Sequence, residues 1–151
     1  DVAKPGDVVV VATQGYLGAA ILGDLLAGMA RNCGIAAIVI DGSVRDVSGI
    51  LATGLPVYCA GVTPNSGVRN GPGSVGLPIV MGGVAIAPGD IIVGDGDGVV
   101  VVPQGMAAKV VETLAGVRKA EAALEARVKS GLRLPEFVTD ILTSGRVEEI
   151  P

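Results

Sequence analysis

The sequence has no histidine and no tryptophan, and its only aromatic residues are Tyr16, Tyr58 and Phe137. Without histidine, the protein can have no histidine-based catalytic triad, no histidine-ligated metal and no histidine proton shuttle. Any acid–base or metal chemistry must therefore rest on carboxylates, arginine and backbone groups. Oxygen ligands of this kind suit a hard divalent cation such as Mg²⁺ or Mn²⁺.

Cysteine is also scarce. Cys33 and Cys59 stand far apart in the chain, and neither belongs to a CxxC pair of the kind that binds zinc or cycles between redox states. We predict that both are buried thiols in apolar surroundings. A disulfide framework is not expected, which favours an intracellular, cytoplasmic protein.

Positive charge is sparse and scattered. The chain carries 11 Lys and Arg residues against 15 Asp and Glu residues, for a formal net charge of −4. Nucleic-acid binding needs a clustered basic surface, which this distribution does not provide. No apolar stretch is long enough to span a bilayer. We therefore expect neither nucleic acid nor a membrane as a partner; a small anionic ligand would need a local positive charge.

The first part of the chain alternates between apolar runs and helical patterns. With half of its 151 residues apolar, the chain can form one domain with a buried core, which we place at residues 1–151. The pattern strand, helix, strand, helix, strand predicts parallel pairing with crossover helices. The predicted elements are a strand at Asp7–Thr13, an amphipathic helix within Ala19–Cys33, a strand at Ala36–Ile40 that ends at the Asp41-Gly42 turn, a helix at Ser43–Leu51 and a strand at Val57–Ala60.

The rest of the chain is first rich in turns and then helical. The loop Val62–Gly76 is either a lid over a ligand or a surface excursion. Four short strands separated by Gly-rich turns predict hairpins or a small second sheet. Two C-terminal helices follow, at Gln104–Ser130 and Pro135–Thr143, and we expect part of the longer one to pack on another subunit. The predicted strands are Pro78–Met81, Val84–Ala87, Ile91–Gly94 and Gly98–Val102.

The strongest chemical motif is the pair Arg45-Asp46, which follows the second predicted strand. Ligands of open α/β sheets bind beyond the carboxyl ends of the strands, although such a pair alone is also typical of a surface ion pair or a helix cap. Asp24 lies in the same βαβ unit. A substrate carboxylate could bind the amides of Leu25 and Leu26, which we expect to be unpaired at the helix start, and the guanidinium of Arg45. Asp46 could then hold a metal directly, with Asp24 holding a metal-bound water.

Four motifs in order carry a family resemblance. They are Gly23-Asp24, Arg45-Asp46, Pro88-Gly89-Asp90 and the segment 95–103, which reads DGDGVVVVP. Across Lys4 to Gly131 the chain resembles the 4-hydroxy-4-methyl-2-oxoglutarate aldolase family, which is similar in fold to the regulator of ribonuclease E activity A. The resemblance implies an α/β fold of the swivelling β/β/α type, with a parallel βαβ portion, a small second β-sheet and C-terminal helices.

The resemblance also implies roles for individual residues. Asp46 would bind a divalent metal, Mg or Mn, and Asp24 would hold a water in the metal's shell. Pyruvate would lie at Gly23, against the amides of Leu25 and Leu26 and the side chain of Arg45. The metal and Arg45 would stabilise the enolate that forms as a carbon–carbon bond breaks.

The family further implies a homotrimer or homohexamer with the active site near a subunit interface. A glutamate from the neighbouring subunit contributes to catalysis, and Glu121 is our candidate, with Glu125 as the alternative. Members usually carry an acid three positions after the motif aspartate, where this chain has Gly49. They also usually have an N-terminal helical segment before the strand at Asp7, and this sequence does not include it.

Two functions follow from this reading. The first is a class II, metal-dependent lyase that cleaves 4-hydroxy-2-oxo acids to pyruvate or decarboxylates oxaloacetate. The second is a non-catalytic protein of the ribonuclease-regulator type that binds an endonuclease or helicase complex. Retention of Asp24, Arg45 and Asp46 favours the enzyme, whereas Gly49 favours the regulator.

Overall fold

The computed structural model describes residues 2–68 and 70–147, and the chain divides into two compact units, Asp1–Met106 and Ala107–Pro151. The prediction of one domain over residues 1–151 stays a prediction. The strands are β1 (Val8–Val11), β2 (Ala20–Leu22), β3 (Ala37–Val44), β4 (Val57–Val62), β5 (Ile79–Met81), β6 (Val84–Ile86), β7 (Ile91–Gly94) and β8 (Val99–Val102). The helices are α1 (Asp24–Asn32), α2 (Val47–Thr53), α3 (Ala107–Lys129) and α4 (Glu136–Thr143), and a 3-10 turn, Gln104–Met106, precedes α3.

A four-stranded parallel sheet is built around β3. β4 pairs with one edge of β3, from Ile38 to Val44. Both β1 and β2 pair with the other edge of β3, β1 with its first half and β2 with its last residues. Helix α1 connects β2 to β3, and α2 connects β3 to β4. The predicted parallel βαβ portion is confirmed, since each helix crosses over between parallel strands.

The core lies between this sheet and its two crossover helices. Apolar side chains alternate toward the helices along β3, as expected for a strand with a covered face. Ala27 of α1 is fully buried and Ile50 of α2 nearly so. The buried cluster contains Leu22, Ala27, Ile35, Ile38, Ile40, Val44, Ile50 and Leu55.

The predicted end of β3 at the Asp41-Gly42 turn was wrong, because the strand runs on to Val44. Asp-Gly is a common turn pair, but here these two residues coincide with a register shift in the pairing of β3 with β4 between Ile40 and Ser43. An irregularity of this kind keeps the strand paired while bending it. The following helix consequently begins at Val47 and not at Ser43.

The segment before α1 was also assigned wrongly. The helix predicted within Ala19–Cys33 begins at Asp24, and Ala20–Leu22 form the strand β2. Parallel pairing of Ala20 and Leu22 with β3 stabilises this short strand. Such a strand is decided by its tertiary partner, since three residues carry no usable periodicity.

The turn-rich segment forms two antiparallel hairpins, β5 with β6 and β7 with β8. The predicted Asp-Gly turn closes the second hairpin, where the Asp95 amide donates to the Gly98 carbonyl at 3.0 Å. In the Pro-Gly-Asp motif, the Asp90 carboxylate accepts hydrogen bonds from the amides of Ala87 at 2.8 Å and Gln104 at 3.0 Å. These bonds lower the pKa of Asp90, so this motif has a structural role.

The prediction that both cysteines are buried was wrong, because Cys33 and Cys59 are exposed free thiols. Cys33 follows the last residue of α1, where the chain leaves the helix. Cys59 lies in β4, which is paired only with β3 among the described strands. An apolar sequence neighbourhood does not bury a side chain at a helix end or on an uncovered strand face.

The second unit consists of α3 and α4. Arg127 Nη2 of α3 lies 2.5 Å from Glu136 Oε1 of α4, and this contact raises the pKa of Arg127 and lowers that of Glu136. No residue of α3 is buried, and its packing on another subunit stays a prediction. Among the described residues, no helix has both the length and the apolar character needed to cross a membrane.

Candidate active site

The backbone brings the two predicted motifs side by side. Leu22 at the end of β2 pairs with Val44 at the end of β3, and the Arg45 amide donates to the Leu22 carbonyl at 2.9 Å. The residues that follow, Gly23-Asp24 and Arg45-Asp46, therefore leave the sheet together at its carboxyl edge. This is the edge at which α/β proteins bind ligands.

A cavity of about 690 Å³ opens at this edge. Both motifs line it, and so do the exposed apolar side chains of Leu25, Leu26 and Met29 from α1. Ser66 and the two residues after it close another side. The structure thus brings together Gly23, Asp24, Leu25, Leu26, Arg45 and Asp46, the residues predicted for one site in this chain.

Arg45 is held at two places within the cavity. Its Nε lies 3.2 Å from Asp46 Oδ2, and about half of each of the two side chains is exposed. Its Nη1 donates a hydrogen bond to Ser66 Oγ. The Asp46 ion pair alone adds little stability at this exposure, but the two contacts together orient the plane of the guanidinium.

Asp46 has an unusual backbone conformation. It precedes the first residue of α2 with φ 55° and ψ 45°, in the left-handed region, and among the described residues Gln14 is the other non-glycine residue with positive φ. Such a conformation costs about 1 kcal/mol, although Asp tolerates it better than most residues. Strained residues of this kind cluster at functional sites, and sequence reasoning had no signal for this one.

Two glycines allow the close approach of charged groups. A Cβ atom on Gly23 would lie 2.6 Å from Asp46 Oδ2, and one on Gly49 would lie 2.6 Å from both Asp24 Cβ and Asp24 Oδ2. At either distance a side chain would force the neighbouring aspartate to shift, so Gly49 leaves room for Asp24 in its present position. An acid at position 49, which the family pattern favours, would require the Asp24 carboxylate to move.

The amide groups at the start of α1 differ from the prediction. The Leu25 amide is not unpaired, because Asp24 Oδ1 lies 2.7 Å from it. The Leu26 amide has no acceptor within the part of the chain that the structure describes. The side chain of Asp24 can take this local bond because Gly23, the N-cap residue, offers no side chain to cap the helix.

The described lining of the cavity offers a metal two carboxylates and no histidine or cysteine. Residues 2–68 and 70–147 contain no cluster of three or more His, Cys, Asp or Glu side chains, so a closed protein cage for zinc is not formed there. Mg²⁺ commonly binds through one or two carboxylates, with waters and substrate oxygens filling its other positions. Asp24 and Asp46, both lining the cavity, fit that requirement.

The predicted glutamate lies in the second unit. Glu121 is an exposed residue of α3, and its contribution to a neighbouring subunit's site stays a prediction. Glu125, the alternative, forms an ion pair with Lys129 one turn further along the helix. This ion pair is exposed and weak, so it does not distinguish between the two glutamates.

A third carboxylate, that of Asp41, was missed by sequence reasoning and organises the loop between β1 and β2. Asp41 accepts hydrogen bonds from the Thr13 amide at 2.5 Å, from Thr13 Oγ1 at 2.8 Å and from the Gly15 amide at 3.1 Å. Desolvation raises the pKa of Asp41, but these bonds outweigh it and the pKa is lowered. Ser43 Oγ donates to the Leu17 carbonyl of the same loop at 3.0 Å. The apparent turn residue Asp41 is therefore an anchor.

Comparison with known proteins agrees with this fold. A family model described as RraA-like, Aldolase/RraA, matches residues 1–101, and the chain belongs to this family. A protein of Halalkalibacterium halodurans that bears the name "Putative 4-hydroxy-4-methyl-2-oxoglutarate aldolase" is 42% identical over 128 residues, which cover 85% of this chain and 60% of that protein.

Two solved structures extend the comparison. An uncharacterized protein from Pseudomonas syringae pv. tomato superposes with a TM-score of 0.80 at 33% identity, over 87% of this chain and 66% of the other. Streptomyces coelicolor RraAS2, described as an unusual member of the RNase ES inhibitor RraA protein family, gives a TM-score of 0.77 at 35% identity, over 83% of this chain and 64% of the other. The α/β fold with parallel strands, small antiparallel sheets and C-terminal helices is confirmed. This chain spans about three-fifths of the first relative's length.

Proposed function

We propose that this chain contributes the active site of a divalent-metal-dependent lyase that cleaves 4-hydroxy-2-oxo acids, of the 4-hydroxy-4-methyl-2-oxoglutarate type, to pyruvate. One observation carries the proposal: a single cavity is lined by the guanidinium of Arg45, the carboxylates of Asp24 and Asp46 and the helix start at Leu25 and Leu26. Cationic, anionic and apolar groups of this kind match a small 2-oxo acid. The same site would decarboxylate oxaloacetate, since both reactions generate pyruvate enolate.

Substrate binding would use the positive groups of the cavity. The substrate carboxylate accepts hydrogen bonds from the Leu26 amide and from Arg45, a pairing that favours planar anions. The exposed apolar side chains of Leu25, Leu26 and Met29 would be covered by the substrate and would exclude water. Arg45 would also stabilise the negative charge that develops on the 2-oxo oxygen.

Asp46 would hold the metal, Mg or Mn, with Asp24 bound to it through water. When bound, the metal would polarise the 2-oxo carbonyl and stabilise negative charge on its oxygen. Asp24, whose Oδ2 lies in the space that Gly49 leaves open, would hold the water that receives the proton of the 4-hydroxyl group. The carbon–carbon bond then breaks, and its electrons pass to the 2-oxo oxygen as the enolate of pyruvate.

We further propose a homotrimer or homohexamer in which Glu121 of one subunit completes the site of its neighbour. The exposed α3 residues would provide the contact surface. A cytoplasmic location agrees with the two free cysteines.

A second candidate is a non-catalytic regulator that binds a ribonuclease or helicase complex. The similarity to Streptomyces coelicolor RraAS2 and the presence of Gly49 favour it. This candidate assigns no function to the Asp24, Arg45 and Asp46 side chains, so substitutions at these positions would leave its activity intact.

Pyruvate release tests the enzymatic proposal. The protein is incubated with Mg²⁺ or Mn²⁺ and with 4-hydroxy-4-methyl-2-oxoglutarate or oxaloacetate, and pyruvate is followed with lactate dehydrogenase. We expect activity that a chelator removes and that Arg45→Ala and Asp46→Ala reduce at least about 100-fold. Arg31→Ala, which removes an exposed arginine of the same helix as Asp24, is the control. Equal activity of Arg45→Ala and Arg31→Ala would rule the proposal out.

A further inference from the structure

We propose that Ser66 is a positioning residue that holds the guanidinium of Arg45 in the orientation that binds a carboxylate. The inference rests on the proposed function for its kinetic consequence, but its geometric basis is independent. Ser66 Oγ accepts a hydrogen bond from Arg45 Nη1. Both residues line the same cavity.

Arg45 needs such a partner because its side chain is 43% exposed and could adopt many rotamers in solvent. The contact with Asp46 restrains only the Nε atom of Arg45, at 3.2 Å. The guanidinium group can still rotate about that contact. A second contact at Nη1 defines the guanidinium plane. These two contacts also fix the direction of the Nη2 group. Within the described part of the chain Nη2 has no acceptor, so it is available to a ligand.

The backbone at Ser66 is itself fixed, although it lies in the long loop after β4. Ser66 forms an isolated parallel bridge with Ala20, and the Ala20 amide donates to the Asn65 carbonyl at 2.8 Å. Asn65 Nδ2 donates to the Gly18 carbonyl at 3.2 Å. Since Ala20 begins β2, the strand that leads into Gly23 and Asp24, the same backbone bonds position both sides of the cavity.

The chemical type of the partner also matters. A serine hydroxyl accepts the Nη1 hydrogen bond without contributing a negative charge. A second carboxylate in this place would neutralise the guanidinium and weaken its attraction for an anionic substrate. Ser66 therefore orients Arg45 and leaves its positive charge available to a substrate. The first part of the loop Val62–Gly76 forms one wall of the cavity and is more than a surface excursion.

Steady-state kinetics of pyruvate release test this role. For Ser66→Ala we expect KM to rise about 5- to 10-fold, because a reoriented Arg45 binds the substrate carboxylate less well. We expect kcat to stay within about threefold of the original value, because the Asp46 contact still holds Arg45 in the cavity, where it stabilises charge on the 2-oxo oxygen. Ser66→Thr keeps the hydroxyl and should restore KM to within about twofold. Ser74→Ala, at an exposed serine further along the same loop, should change neither constant.

A purely structural role would lower kcat and stability without changing KM. The inference is therefore overturned if Ser66→Ala has an unchanged KM, or if Ser74→Ala raises KM equally. Absence of pyruvate release by the unsubstituted protein is a failure of the proposed function and is recognised before any variant is made.

Nuclear magnetic resonance of the arginine side chains tests the geometry without catalysis. In ¹H–¹⁵N spectra of the full chain, Arg45→Lys identifies the Arg45 guanidinium signals by their loss. Ser66→Ala should shift or broaden the Arg45 Nη1 signal through faster rotation, and Ser74→Ala should leave it in place. An Nη1 signal that is identical in Ser66→Ala and the unsubstituted protein refutes the proposed contact whether or not the chain is an enzyme.

Discussion

Gly23→Ala is expected to disable the site while leaving the fold intact. Gly23 has φ −128° and ψ −174°, an extended conformation open to any residue, so alanine introduces no backbone strain. Glycine is needed here because a side chain would be too close to Asp46. A Cβ atom there would lie 2.6 Å from Asp46 Oδ2, whereas ordinary van der Waals contact begins at 3.4 Å, so the carboxylate must move by about 0.8 Å.

A displacement of this size is large for catalysis. A reacting group misplaced by about 1 Å can cost about 100-fold in rate, or about 2.7 kcal/mol in the activation barrier. Asp46 is half exposed, so its side chain can turn into solvent and the free energy of unfolding should change by less than about 1 kcal/mol. We therefore expect a roughly 100-fold loss of metal-dependent pyruvate release at nearly constant stability.

The assay combines pyruvate release with urea unfolding. Gly28→Ala is the matched control, because Gly28 lies in α1, the helix that Gly23 precedes, and a Cβ atom there would meet nothing within 4 Å. This control should keep full activity and gain up to about 1 kcal/mol of stability from helix propensity. Activity of Gly23→Ala within about threefold of the original, or an equal loss in Gly28→Ala, would show that the site does not depend on the space at Gly23.

Three further predictions address neighbouring features. Asp46→Asn should fold normally, since Asn tolerates the left-handed conformation, yet lose at least about 100-fold in activity; tight metal binding by this variant in calorimetry would contradict the assignment. Gly49→Ala should lower activity about 10-fold by displacing the Asp24 carboxylate, and unchanged kinetics would show that Asp24 need not keep its position. Because the pKa of Asp41 is lowered in the folded state, its stabilisation is present above its unfolded pKa and is lost as pH falls through the folded value. Asp41→Asn should therefore destabilise the protein in urea unfolding at neutral pH, with a difference that shrinks as the pH falls below about 3.9, the ordinary pKa of Asp. Asp97→Asn, at an exposed turn residue, is the control and should change the free energy of unfolding at neutral pH by less than about 0.5 kcal/mol.

The sequence predicted the elements that have strong local signals. Val-rich runs between helical patterns were enough to predict the parallel sheet, because strands that alternate with helices pair in parallel through crossover connections. Gly-rich turns predicted the hairpin that closes at Asp95 and Gly98, and the amphipathic pattern within Ala19–Cys33 predicted α1. The motif order also predicted the family and which residues share the cavity.

Other elements could not be predicted because their stability comes from distant partners. The strand Ala20–Leu22 is too short to show periodicity, and its pairing with β3 decides it. The Asp41-Gly42 pair has the composition of a turn, yet the bonds from Thr13 and Gly15 to Asp41 anchor a loop to it. Both cysteines have apolar sequence neighbours but are exposed.

By itself, the sequence determined the chemical inventory of the site: no histidine, two carboxylates, one arginine and the start of a helix. These depend only on residue types and their order. The tertiary structure decided how these groups are held, namely the left-handed backbone of Asp46, the space left by Gly23 and Gly49 and the hydrogen bond from Arg45 to Ser66. Each of these features depends on atoms that come close together only after the strands pair. A sequence pattern does not specify the distances between such atoms.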